Sequence, residues 1–136
     1  MNYKHSFGYS LIELTIVVAI IGILSTVAFG FYRDNVIASN RAEGRAVLSE
    51  VAASLEKCKS LYGAYNSANC NVADDVSSDT NYYEIDTTAS ITATTFTLTA
   101  TPVAGQPQAS DTDCTSLTLT NTGIKGGSGA DSSVCW

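Results

Sequence analysis

From Leu14 to Phe31 the chain runs eighteen residues without a charge, and no other feature limits its possible folds as much. A helix needs about 20 apolar residues to cross a bilayer. Leu11 and Ile12 extend the run to that length, but Glu13 then lies inside it. Three readings compete. In the first, a secretory signal is cut after Ala28, with Thr26 and Ala28 as the small residues before the cut. A carboxylate is unwelcome in such an apolar region. In the second, the run is a permanent anchor, where an acid at mid-bilayer costs about 2.5–3.5 kcal/mol. In the third, the polar segment Met1 to Gly8 is removed and the apolar run becomes the mature N-terminus. Glycine suits a scissile bond because it lets the backbone approach closely. Glu13 is tolerated once a positive group reaches it in low dielectric.

The third reading has a motif behind it. Phe7-Gly8-Tyr9-Ser10-Leu11-Ile12-Glu13, followed in register by the apolar run, resembles the cleavage and methylation motif of type IV prepilins. The resemblance implies that a prepilin peptidase cuts after Gly8 and that the new amine of Tyr9 is methylated. It makes Glu13 the assembly residue, paired with the N-terminal amine of a neighbouring subunit. The short leader resembles the type IVa class. Tyr9 stands in place of the commoner phenylalanine, and Gly30 stands where many pilins carry proline. Glycine weakens a helix by about 1 kcal/mol against alanine, so Gly22 and Gly30 bracket a segment that can melt when subunits pack.

Beyond the apolar run no strong breaker follows until Gly63. Leu48, Val51, Leu55, Cys58 and Tyr62 recur in steps of three and four, one stripe of a helix. Arg41, Glu43, Arg45, Glu50, Glu56, Lys57 and Lys59 fall on the other faces. A helix from Tyr9 to Tyr62 is expected, about 80 Å long at 1.5 Å per residue, with Gly63 as its stop. Ala64 to Thr80 reads as a polar loop. Tyr82 to Asp86, Thr95 to Thr101 and Leu117 to Thr120 read as strands, the last two strictly alternating, with Pro102 ending the middle one. Gly126-Gly127-Ser128-Gly129 reads as a flexible turn. The fold class is α+β: one long N-terminal helix whose second half lies across a small antiparallel sheet, an arrangement that also resembles pilins. The expected divisions are a leader 1–8, an apolar half-helix 9–31, an amphipathic half-helix 32–62 and a globular part 63–136.

Cys58, Cys70, Cys114 and Cys135 allow three pairings, and export implies an oxidising compartment. Neighbour pairing, Cys58–Cys70 with Cys114–Cys135, closes the shorter loops. The second resembles the disulfide-bounded C-terminal loop of pilins. The rival is a zinc site, which lacks a Cys-x-x-Cys pair and, in the mature chain, any histidine, since His5 is the only one. Without histidine the usual Ser-His and Cys-His nucleophiles are closed, so no catalytic residue, metal or cofactor is expected. Asp74, Asp75 and Asp79 lack the spacing of a calcium loop, and a solvated acidic loop is the simpler reading. Trp136 reads as a core plug. Seven basic residues against thirteen acidic ones, a net charge of −6, disfavour nucleic acid as a partner.

The functional expectation is a structural subunit of a type IV pilus, not an enzyme. The resemblance implies an inner-membrane precursor that polymerises with itself or with other pilins on an assembly platform into an extracellular filament. Adhesion, twitching motility, biofilm formation or DNA uptake are the roles such filaments serve. Two alternatives stand beside it: a pseudopilin of type II secretion, and an anchored or secreted binding module.

Overall fold

The computed structural model describes residues 9–70, 72, 75–87 and 90–136. The expected leader, Met1 to Gly8, and Asp74 lie outside these. Helix α1 runs unbroken from Leu11 to Tyr62, 52 residues, through both Gly22 and Gly30. It stops where expected. Gly63 takes a left-handed φ of +80°, and its N–H bonds the Lys59 carbonyl at 2.8 Å, closing the last turn. The chain divides into two units, Met1–Val36 and Ile37–Trp136.

Within the second unit five antiparallel strands follow one another in chain order: β1 (Val76–Ser77), β2 (Tyr83–Asp86), β3 (Thr97–Pro102), β4 (Ser116–Thr120) and β5 (Lys125–Ser128). Register sets Ile85 against Ala100 and Ala100 against Leu117. Period-two alternation therefore sends Tyr83, Ile85, Leu98, Ala100, Leu117 and Leu119 to one buried face. Leu48, Val51 and Leu55 of α1 join that cluster. Each large apolar side chain so buried contributes about 1.5–3 kcal/mol. Tyr65 adds an edge-on contact to Phe96, ring centres 4.9 Å apart. Gly44 lets helix and sheet meet: a Cβ there would lie 3.1 Å from both Leu117 and Tyr83.

Four details depart from the sequence reading. Tyr62, placed on the packed stripe, is half exposed, because the stripe's last buried residue is Cys58. Arg41, placed on a solvent face, is buried. The stretch read as a loop from Ala64 to Thr80 contains β1. Most informative is the glycine cluster: Gly126, Gly127 and Ser128 lie in strand β5, while Gly129, at φ +140°, makes the bend that follows. A Cβ on Gly127 would sit 2.5 Å from Cys135 Sγ, and one on Gly126 would sit 2.8 Å from Thr118 Oγ1. Glycine here permits close approach within a sheet rather than a bend. The sheet's two margins are modest. β1 has two residues, and along β5 the Trp136 indole N–H donates to the Gly126 carbonyl at 2.6 Å.

Candidate functional site

Tyr9 is 88% exposed, and α1 begins two residues later with Glu13 in its first turn. The helix N-terminus carries partial positive charge, so an acid there is favourably placed. Gly8 lies outside the described residues. From Leu11 to Tyr32 every large apolar side chain is exposed. This helix is long and apolar enough to cross a membrane, and none of its apolar stretch is buried within the chain. A soluble surface of this kind would be unusual, since exposed apolar patches mark interaction sites. The hydroxyls along it are satisfied inside the helix: Thr15 donates to the Ile12 carbonyl, Ser25 to Ile21 and Thr26 to Ile23, all at 2.7–2.8 Å. Such bonding suits an apolar surrounding that offers no water. Gly22 and Gly30 have nothing of their own chain within 4 Å of a built Cβ, so no internal packing explains them. Small residues of this kind let helices approach one another in apolar surroundings.

The cysteines form two bridges, Cys58–Cys70 and Cys114–Cys135. The first joins the last turns of α1 to the following loop. The second joins the segment before β4 to a short 3-10 turn, Ser132–Cys135, with both sulfurs buried. Among the described residues no three of His, Cys, Asp and Glu group as metal ligands. Trp136, expected as a core plug, packs against the core cluster from its margin. It is half-buried beside β5, with the Lys125 ammonium 4.9 Å from its ring centre.

Two family models match. Residues 3–29 match the prokaryotic N-terminal methylation motif. Residues 31–118, well over half the chain, match the model described as "Type IV minor pilin ComP, DNA uptake sequence receptor". The chain belongs to the type IV minor pilin ComP family. No curated protein matches this pilin closely. The motif alone left major and minor subunits open; the family places the pilin among minor ones.

What sequence reasoning missed in the pilin is a buried polar knot. Arg41 of α1 grips Asp111 with both prongs, Nε to Oδ2 at 2.6 Å and Nη2 to Oδ1 at 2.7 Å. Asp111 lies just after a 3-10 turn, Pro107–Ser110, and also accepts from the Cys114 N–H at 3.1 Å. Gln108, fully buried, donates to Asp111 Oδ2 and to the Tyr83 hydroxyl. Burial pushes the Asp111 carboxyl up, but the bonds from Arg41 and the Cys114 N–H outweigh it and hold it below the usual value. The same hydrogen bond raises Arg41. Burial lifts the Tyr83 hydroxyl to about 12, helped by the nearby Asp111 charge. One arginine thus fastens α1 to the base of the Cys114–Cys135 loop. Only a charge on an otherwise apolar helix stripe, three residues before Gly44, could have signalled it.

Proposed function

We propose that this pilin is a filament subunit, held in the bacterial inner membrane as a precursor, cut after Gly8, methylated on Tyr9 and polymerised through α1 into an extracellular pilus. The observation that carries the reading is the wholly unburied apolar surface from Leu11 to Tyr32, directly behind the methylation motif. Burial of that surface between helices supplies the drive for assembly. A prepilin peptidase, an assembly platform and other pilins are its partners in this reading, and adhesion or twitching motility the uses of the filament. Sheared surface filaments, examined by electron microscopy and mass spectrometry, test it. A peptide beginning with N-methylated Tyr9 is expected among them. Absence from filaments, with retention in the cell envelope, would favour a pseudopilin, and a different mature N-terminus would overturn the reading.

A second reading, DNA uptake, draws on the description of the family as a DNA uptake sequence receptor and on the half-buried Trp136 beside Lys125. An aromatic face next to a cation is a known platform for nucleic-acid bases. The net charge of −6 opposes it. If it holds, single-stranded DNA binds the purified pilin in a salt-dependent way, and Trp136→Ala weakens binding about tenfold, since stacking is worth about 1–3 kcal/mol. Equal binding by the variant would remove Trp136 from this role.

A further inference from the structure

The two disulfides differ in reach. Cys114 and Cys135 are both fully buried, and the Gly127 backbone closes over Cys135 so tightly that a methyl group would not fit. Cys70 is partly exposed. Together with Cys58 it lines an open recess of about 260 Å³, whose other walls include Lys57, Leu61, Tyr62 and Asn69. A thiolate approaching in line with a sulfur–sulfur bond needs such an opening, and a nearby cation favours both the attacking and the departing thiolate.

We propose that Cys58–Cys70 is a redox clasp, opened by an external dithiol protein or small dithiol while Cys114–Cys135 stays closed. The thiolate of the dithiol attacks Cys70 Sγ, forming a mixed disulfide, and Cys58 departs as a thiolate that takes a proton. The second thiol of the dithiol then attacks its own mixed-disulfide sulfur, releases Cys70 as a thiolate and leaves as an oxidised dithiol. Two electrons pass from the dithiol to the cysteine pair. The fold is arranged to survive this. Tyr65 is held apart from the clasp by Phe96, by the Lys59 ammonium 4.3 Å from its ring centre and by its hydroxyl donating to Glu56 at 2.7 Å. The loop therefore stays pinned at Tyr65 and loosens only beyond it, from Asn66 to Cys70. The wall of the recess becomes movable while sheet and helix hold.

Full-length pilin in detergent is treated with dithiothreitol without denaturant, trapped with iodoacetamide at intervals and mapped by mass spectrometry. Alkylated Cys58 and Cys70 are expected first, with Cys114–Cys135 intact and circular dichroism unchanged. Reduction of both bridges together, or of Cys114–Cys135 first, would overturn the proposal. Reaction with glutathione, an anionic thiol, adds a second readout. Lys57→Glu is expected to slow it about threefold, and to slow neutral 2-mercaptoethanol less, because the local charge acts on the approaching anion. Equal slowing of both thiols would show that Lys57 does not serve the approach. Finally, the Cys58→Ser/Cys70→Ser pilin is expected to unfold cooperatively at a lower temperature. A variant that cannot fold would show that the clasp is structural and cannot act as a switch.

Discussion

Replacing Glu13 with alanine is expected to leave export and leader removal intact and to abolish filaments. The substitution lies beyond the bond after Gly8 and removes a charge from an apolar segment, so insertion becomes easier rather than harder. Assembly is another matter. In the proposed filament Glu13 meets the cleaved amine of a neighbouring Tyr9 among the exposed side chains of Leu11, Ile12 and Leu14, which become a dry interface. Removing one member of a buried ion pair costs about 3–5 kcal/mol, because the other charge is left without a partner. At about 1.4 kcal/mol per factor of ten, each subunit contact weakens more than a hundredfold. Glu13→Gln keeps the shape and one hydrogen bond and should retain a minority of filaments. Pili are counted by electron microscopy, while mass spectrometry of membranes checks the mature N-terminus. Wild-type pilus numbers from Glu13→Ala would refute the assembly role of this residue.

Asp111→Ala is expected to destabilise the second unit strongly. It strips Arg41 of both its carboxylate bonds while the guanidinium remains buried, and it leaves the Cys114 N–H without its acceptor. The expected loss is about 3–5 kcal/mol. Set against a typical net stability of about 5–15 kcal/mol, that places the variant near the folding threshold. For a unit of this size, one kcal/mol corresponds to a shift of about 4–8 °C in Tm, so thermal unfolding of the full chain in detergent reads the effect directly. The double replacement Arg41→Met/Asp111→Leu should recover much of it, because an apolar pair of similar size carries no desolvation cost. A loss below about 1 kcal/mol, the scale of an exposed pair, would show that the pair is open to water.

The same knot fixes a pH window. Asp111 has a folded pKa below its unfolded value of about 3.9. Its contribution is therefore complete above that value and lost as pH falls beneath about 4. Tyr83 has the opposite sense. Its folded pKa is raised to about 12, so the unfolded chain ionises first and stability is lost as pH rises from about 10 toward 12. Denaturant midpoints across that range should show a plateau with both shoulders, and Asp111→Ala should flatten the acidic one.

Much of this architecture is visible in the chain itself. The unbroken helix, its stop at Gly63 and the buried faces of β2, β3 and β4 follow from local rules: 3.6-residue and two-residue periodicities, and a residue free to adopt positive φ. The misreadings share one cause, which is that the deciding neighbour is distant in sequence. Arg41 reads as solvated because Asp111 lies seventy positions away. Gly126 and Gly127 read as a turn because nothing local shows that Thr118 and Cys135 press against them. Trp136 does pack against the core, but only in part, and its hydrogen bond goes to a backbone carbonyl that any residue could supply. The candidate site divides the same way. The processing motif is contiguous and legible; the difference in access between the two disulfides emerges only once the loops are placed around them.

The margins of the sheet bear on the proposed filament, where pilin domains would be held side by side for long periods. Unpaired strand edges under such crowding invite lateral zippering into cross-β aggregates. A two-residue strand offers too few amides to template another chain. On the opposite side the terminal indole lies beside β5, bonded to the Gly126 carbonyl, and fills room next to that strand. In the proposed filament, contacts between subunits would thereby be left to helix and side-chain surfaces, and neighbouring sheets would be kept from fusing.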